Sequence, residues 1–335
     1  MYRDLCIAAV IPARNEAQLI GAVLETLPAL VDRVYVIDDA STDTTAEEVL
    51  RHADTDRRVH LLRCPSRRGV GGAIARGYRE ALADGCDIAV VLAGDGQMDP
   101  ADLETVIRPV AEGRADYVKG NRFAYPGGAR RIPTVRKLGN FVLSVLTKIV
   151  TGYWHVSDSQ CGYTAIHRAA LSRLDLDALY PSYGYPNDLL GRLNVLEQRV
   201  AEIPVNPRYR VGERSKMRVA WVILPILWLL TRVFLRRLVQ RYVVSNGHPL
   251  VFAFGLSFLS LASMAGLSVY LLVRYLDTGW VMKAALIAAS ALLILGTQLL
   301  ITAFSMDQEA NRHLCVRLRP GCIPGPGGNA EDDRS

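Results

Sequence analysis

Four short segments carry the side chains best able to do chemistry, and each follows a short apolar run: IPARNE, VIDDASTDTT, RRGVGGAIARGYREAL and VVLAGDGQMDP. In the last of these, Asp95 is followed by Gln97 and Asp99. Hard divalent ions such as Mg²⁺ take oxygen ligands, keep several waters and share the rest with phosphate. Asp95 and Gln97 could therefore hold an ion bridging a diphosphate, whereas Asp99 before Pro100 reads as a helix N-cap with proline at N1. In the first segment Pro12 stops a strand, and Asn15 and Glu16 occupy the turn where a nucleotide would lie. In the second, Asp38 and Asp39 stand at a strand terminus, where a carboxylate could accept hydrogen bonds from a base or ribose. Ser41 to Asp43 read as caps of the next helix. Gly69, Gly71 and Gly72 open a helix whose first amides could face a diphosphate, and close helix packing explains the same glycines equally well. Neither the dinucleotide fingerprint nor a P-loop is present.

The elements that must position these residues follow from hydropathy. Leu5–Ile11, Val34–Ile37, Val59–Leu62, Ile88–Leu92 and Tyr117–Val118 read as buried strands, separated by helical stretches such as Ala17–Leu27 and Ala73–Leu82. Strand–helix alternation predicts an α/β fold with a mostly parallel sheet covered on both faces. Ligands bind beyond the carboxyl ends of such strands, where the polar residues above fall. The later chain differs. Leu250–Val273 and Ala284–Phe304 contain no charged residue, and each exceeds the roughly 20 residues a bilayer-spanning helix needs. Between Trp221 and Val243, helical spacing puts Arg232, Arg236, Arg237, Gln240 and Arg241 on one half and Phe234, Leu235, Leu238, Val239 and Tyr242 on the other. That pattern predicts a basic amphipathic helix at an anionic leaflet.

Composition narrows the classes. The 335 residues are 50% hydrophobic and carry a net charge of +6, with a mean hydropathy of +0.15. The arginines cluster beside the apolar segments rather than in a nucleic-acid motif, so lipid and phosphate are the expected partners and nucleic acid is not. The 6 cysteines are scattered with no metal-ligand spacing, which argues against a disulfide framework or a structural zinc site. No signal peptide is expected at MYRDLCIAAVIPARNE. Arginines before the first apolar run and after the second place both termini and the catalytic domain in the cytoplasm by the positive-inside bias. The Pro/Gly-rich end reads as a disordered tail.

The ordered set IPARNE, DDASTDTT, GVGGA and GDGQMDP resembles family-2 glycosyltransferases of the GT-A fold. The resemblance is nearest to the dolichyl-phosphate mannosyltransferase and bacterial polyprenyl-phosphate glycosyltransferase group, and runs from about Ile7 to Lys216. It implies a Rossmann-like catalytic domain (1–216), a basic juxtamembrane region (217–246), a two-helix transmembrane hairpin (247–306) and a cytoplasmic tail (307–335). By that resemblance Pro12, Asn15, Glu16, Asp39, Gly69, Gly71 and Asp95 bind a nucleotide-diphosphate sugar, and Asp95 and Gln97 hold Mg²⁺ or Mn²⁺. Such enzymes usually carry Asp-x-Asp as the metal motif; here Ala93 takes the first position, which leaves Asp95 as the one indispensable carboxylate. Arg122 of KGNR, Arg136 of VRKLGN, and Arg214, Ser215 and Lys216 of GERSKMR would hold the acceptor's phosphate. Asp158 of SDSQCGYTAIHR would lie between donor and acceptor. The catalytic set is thus Asp95, Asp158, Arg122 and Arg136. Cys161, His155 and His167 read as structural, and Asp188 as an acid flanking the site.

The implied reaction is inverting transfer of the sugar to a polyprenyl phosphate at the cytoplasmic membrane face. A membrane glycosyltransferase with another acceptor, such as a lipid-linked sugar or a polysaccharide, is the alternative. A non-catalytic scaffold that binds nucleotide sugars, suggested by Ala93, is the third reading. A homo-oligomer stays open.

Overall fold

The computed structural model describes residues 2–126, 134–208, 219–244 and 247–318; the side chains of 134–138, 140 and 219–223 lie outside the description. The chain forms two compact units, Met1–Phe234 with His313–Ser335, and Leu235–Arg312.

The larger unit is built on strands β1 (Ile7–Ala13), β2 (Arg33–Asp38), β3 (Val59–Arg63), β4 (Ile88–Val91), β5 (Tyr117–Asn121), β6 (Thr164–His167), β7 (Val200–Pro204) and β8 (Cys315–Val316). They make one sheet in the order β3-β2-β1-β4-β6-β5-β7-β8. All neighbours pair in parallel except that β6 runs antiparallel to both β4 and β5. The expected mostly parallel sheet is present, with one reversed strand.

Period-2 alternation divides the core. Ile7, Ala9 and Ile11 pack with α1 (Ile20–Glu25), α2 (Thr45–Thr55) and α4 (Leu103–Ala111) on one face. Ala8 and Val10 pack with α3 (Gly69–Ala83), α6 (Arg168–Leu171) and α7 (Tyr185–Val195) on the other. Covering on both faces is why β1 and β4 are apolar throughout rather than alternating. The remaining helices are α5 (Thr134–Thr151) and α8 (Val219–Arg237). Of these, α8 sets Leu229, Leu230 and Val233 against Val150 of α5.

Two features shape the carboxyl end of the sheet. Pairing of β1 with β4 ends at Val10–Val91, while pairing with β2 continues to Ala13–Asp38. Pro12, which has no N–H to give, falls where the β4 ladder has already stopped. The chain after β4 stays against β1, with the Gly94 amide donating to the Pro12 carbonyl at 3.4 Å, and the crevice in which such sheets take ligands lies beyond these strand ends. The reversal of β6 has the second effect, because its amino end lies beside the carboxyl ends of β4 and β5. Residues 157–163 are thereby delivered to the same edge as Asp95 and Arg122.

The smaller unit holds a π-helical turn (Leu238–Val244), α9 (Leu250–Thr278) and α10 (Lys283–Ala310). Both long helices are apolar enough to cross a membrane, and only 22% and 11% of their apolar windows are buried. The core helices of a soluble protein would be covered. They meet through small residues: Ser257 Oγ donates to the Gly296 carbonyl at 2.8 Å, and a Cβ on Gly296 would come within 2.8 Å of Leu261. Such close approach is how apolar helices associate in lipid.

Two members of the arginine stripe ahead of the hairpin are buried rather than exposed. Arg237 and Arg241 are 1% and 4% exposed, while Leu235 and Val239 on the expected apolar half are 53% and 48% exposed. For Arg237 the cause is a single acid near the end of α10. Asp307 accepts from Arg237 Nη1 at 2.7 Å and from Tyr242 Oη at 2.7 Å, and Asn311 Nδ2 donates to Tyr242 Oη at 2.8 Å. Removing one member of a buried ion pair leaves an uncompensated charge and costs about 3–5 kcal/mol. Asp307→Ala is therefore expected to lower the melting temperature of the hairpin unit in detergent sharply, with Asp307→Asn intermediate. An unchanged melting temperature would remove the pair from the stability argument.

Candidate functional site

The tips of β1 and β2 are tied together by their own polar side chains. Asn15 adopts a left-handed φ of 55°, a conformation asparagine tolerates better than most residues. There its amide donates to Ser41 Oγ at 3.0 Å, and its Oδ1 accepts from the Thr42 amide at 2.9 Å. The Glu16 amide donates to Thr45 Oγ1 at 2.9 Å. Asn15 and Glu16 thus clasp the loop after β1 onto the loop after β2, leaving the tips of both strands at one rim of the crevice.

Asp39 is engaged differently from the sequence expectation. Its carboxylate accepts the amides of Arg68 at 2.5 Å and Gly69 at 2.9 Å. The next amides of the same helix end, Gly71 and Gly72, donate to the Pro181 carbonyl at 2.8 and 3.3 Å. The amides of Gly69 and Gly71 are therefore both taken by acceptors within the protein. The glycines are there for contact: a Cβ on Gly71 would lie 2.1 Å from the Tyr180 carbonyl oxygen, and Gly69, at φ +78°, would bring one within 2.5 Å of Pro181 O. Close packing accounts for both glycines in this turn.

Asp95 stands just beyond β4, partly exposed, with its Oδ1 accepting the Gln97 amide at 3.0 Å. Asp99 caps the following turn through the Ala101 amide at 3.1 Å, as its position before Pro100 predicts, and also pairs with Arg208 at 2.8 Å. The Arg208 amide donates to the Gln97 carbonyl at 3.0 Å. Residues 205–208 thereby brace the loop that carries Asp95. Among the described residues no three acidic, His or Cys side chains cluster as a metal site. A partly exposed carboxylate with an amide oxygen two residues away still fits an ion that takes most of its ligands from water and phosphate.

Across the crevice, Arg122 and Asp158 are brought together. Arg122 directs Nε to Asp158 Oδ2 at 2.8 Å and Nη2 to Oδ1 at 2.9 Å, and its own amide reaches Oδ2 at 3.1 Å. Such forked pairs are strong and directional. Asp158 is 0% exposed. Gln97, Met98, Arg122 and Gly162 line one concavity beside this pair. KGNR does not simply follow the strand: Lys119 to Asn121 lie inside β5. Lys119 is fully buried, with Nζ donating to the Cys161 carbonyl, and burial pulls its ammonium below the usual lysine range. Cys161 is buried and its thiol is pushed up by burial, as suits a packing residue.

Glu202 of β7, which sequence reasoning passed over, touches this group from below. Its Oε1 accepts the amides of Ser157 and Asp158 at 2.7 and 2.8 Å, and its Oε2 accepts Asn121 Nδ2 at 2.9 Å. The one available signal was an acid in the apolar strand VAEIP. Asp188 is structural: its Oδ2 accepts Tyr180 N at 3.0 Å and Arg192 Nε at 2.8 Å. His167 caps α6 through the Ala169 amide at 3.1 Å. The side chain of Arg136, and Arg214, Ser215 and Lys216 entirely, lie outside the described residues.

His155 Nε2 donates to the Val200 carbonyl at 2.9 Å, and burial drives the imidazole from 6.5 down to about 4. The unfolded chain protonates first as pH falls. The contribution of neutral His155 to stability is therefore full above pH 6.5 and lost progressively toward pH 4, with an upper limit of about 3 kcal/mol. His155→Gln, which keeps the donor, is expected to flatten the drop in melting temperature between pH 7 and 4.5. An acid limb as steep as that of the parent protein would contradict this.

Comparison with known proteins fits this geometry. The family model described as "Glycosyl transferase family 2" matches residues 8–175. The UDP-N-acetylglucosamine–dolichyl-phosphate N-acetylglucosaminyltransferase of Methanococcus voltae is 31% identical over 220 residues, covering 62% of this chain and 87% of that protein. The undecaprenyl-phosphate mannosyltransferase of Micrococcus luteus is 32% identical over 214 residues, covering 63% and 87%. Among solved structures, glucosyl-3-phosphoglycerate synthase from Mycobacterium tuberculosis, crystallised with Mn²⁺, UDP and glucosyl-3-phosphoglycerate, superposes with a TM-score of 0.51 at 22% identity. That match covers 73% of this chain and 83% of the other, and shows a shared GT-A architecture. A sheet of this order with its polar strand tips, together with a family match over half the sequence, makes the chain a member of glycosyl transferase family 2.

Proposed function

We propose that the protein transfers a sugar from a nucleotide-diphosphate sugar to the phosphate of a polyprenyl lipid, with inversion at the anomeric carbon. The observation that carries the acceptor assignment is the pair of relatives above, each covered over 87% of its own length and each named for a dolichyl or undecaprenyl phosphate. The two long apolar helices support it, because a polyprenyl substrate is confined to a bilayer.

The proposed chemistry is a single displacement. An anionic phosphate oxygen of the acceptor attacks the anomeric carbon as the bond to the donor's diphosphate breaks, and the electron pair leaves with that diphosphate. A phosphate is already ionised, so no general base is required. Placement and charge compensation are the protein's task. Pro12, Asn15, Glu16 and Asp39 would define the nucleotide rim, Asn15 and Asp39 by shaping the loops they tie. Gly69 and Gly71 would contribute through packing alone. Asp95 and Gln97 would hold Mg²⁺ or Mn²⁺, which supplies Lewis-acid stabilisation of the leaving diphosphate when bound. Arg122, Arg136, Arg214, Ser215 and Lys216 would face the incoming phosphate, and Asp158 would orient Arg122.

Membrane topology is part of the same proposal. The strand β8 follows the second apolar helix and belongs to the same sheet as strands that precede the first. An even number of crossings satisfies that connectivity. The flanking arginines favour a cytoplasmic catalytic unit and cytoplasmic termini by the positive-inside bias. The test is to incubate the full chain in nanodiscs with a panel of nucleotide sugars and polyprenyl phosphate, then weigh the lipid products. Formation of a polyprenyl-phosphate sugar is expected. Transfer only to a lipid-linked sugar, or no transfer at all, would replace this assignment.

A further inference from the structure

Three donors converge on two oxygens of Glu202, and they belong to Asp158 itself and to the residues that precede Asp158 and Arg122 in the chain. Glu202 Oε1 takes the successive amides of Ser157 and Asp158 at 2.7 and 2.8 Å, which fixes the backbone from which the Asp158 carboxylate projects. Its Oε2 takes Asn121 Nδ2 at 2.9 Å, and Asn121 is the residue before Arg122. Asn121 has no freedom to turn over, because its Oδ1 accepts the amides of Phe123 and Ala124 at 2.8 and 3.0 Å. Lys119, register partner of Glu202 across β5 and β7, holds the far end of the same loop through the Cys161 carbonyl.

The chemistry of the donors demands an acceptor at both oxygens. A glutamine of the same shape offers one acceptor and one donor, and its amide would meet the Asn121 amide head on. Burial raises the Glu202 carboxyl above its ordinary value, so this acid is held in place against a desolvation cost. A residue serving only to fill space on this face of β7 would be apolar, like Val200 two positions earlier on the same face.

From this convergence we infer that Glu202 is a positioning residue for the transfer reaction: through Ser157, Asp158 and Asn121 it sets the Arg122–Asp158 pair at the acceptor side of the crevice. The inference rests on the proposed polyprenyl-phosphate acceptor, and it identifies which half-buried group keeps that pair in register.

The test is a donor–acceptor exchange in the full chain. Glu202→Gln is expected to lower kcat by about 30- to 100-fold, the scale of a small misplacement of reacting groups, while KM for the nucleotide sugar stays within about twofold. The combined variant Asn121→Asp with Glu202→Gln exchanges donor for acceptor and keeps the charge. It is expected to recover at least about tenfold of the loss, a coupling that independent sites would not show. A kcat for Glu202→Gln within twofold of the parent overturns the inference. So does failure of the exchange variant to recover while its melting temperature matches the parent. If both variants fail to fold, Glu202 is a scaffold residue and the inference is likewise overturned. The parent protein separates the two claims. If it transfers nothing to polyprenyl phosphate, the acceptor assignment fails, and the variant ratios are then read on whichever acceptor turns over, or on donor hydrolysis.

Discussion

Asp95→Asn is expected to lower sugar transfer by about 10³-fold with little change in melting temperature. Asp95 sits partly exposed beyond β4, where its Oδ1 accepts the Gln97 amide. Asparagine keeps an oxygen for that bond, so the loop geometry survives and only the charge is lost. The charge matters because Ala93 occupies the position at which related enzymes usually present a second carboxylate, and because no three-ligand metal cluster exists among the described residues. An ion bridging the donor diphosphate would then depend on Asp95 for its protein charge. Losing several kcal/mol of leaving-group stabilisation corresponds to two to three powers of ten in rate. Turnover of a radiolabelled nucleotide sugar, measured across a range of Mg²⁺ concentrations, checks this. A variant within tenfold of the parent at every concentration would show that the donor diphosphate is stabilised elsewhere.

What the sequence made legible was local. The apolar runs located β1 to β5, because a strand buried on both faces carries its signature in consecutive residues. The proline after Asp99 located a helix start. The polar residues beyond β1, β2 and β4 were found because ligands in parallel sheets collect at strand ends. What stayed hidden was pairing across distance. Nothing near Arg122 in the sequence announces that its fork closes on Asp158, since the two meet only through the reversed strand β6. Glu202 was passed over because a lone acid in VAEIP looks like a solvated edge residue until the amides it serves are in view.

Distance pairing also accounts for the two places where structure and sequence part. Helical periodicity sorted Arg237 and Arg241 onto a basic face, and periodicity reports which residues share a side, not what that side meets. Asp307, just beyond a long uncharged run, is what Arg237 meets. Gly69 and Gly71 fitted an anion-binding helix start equally well by composition. In the structure the Asp39 carboxylate and the Pro181 carbonyl take amides of that turn, partners that lie far from it in the sequence. Arg136 and the segment from Arg214 to Lys216 still stand as readings of motif alone.

Asp158→Asn is the second large effect, and its signature distinguishes orientation from simple binding. Asp158 is buried and takes both prongs of the Arg122 guanidinium. An asparagine there presents one amide nitrogen to a guanidinium that can only donate, so the fork is broken and Arg122 swings away from the geometry it now holds. Arg122 keeps its charge, and the attraction for an acceptor phosphate remains or grows. Transition-state placement is lost. The expected result is a fall in kcat of about 10²- to 10³-fold with no increase in KM for polyprenyl phosphate, the pattern of an interaction needed for reaction rather than for binding. Arg122→Gln, by contrast, removes the cation itself and is expected to raise that KM. If both variants raise KM equally and leave kcat alone, the pair serves only to bind the acceptor. In that case the orienting role of Asp158, and through it that of Glu202, has no basis.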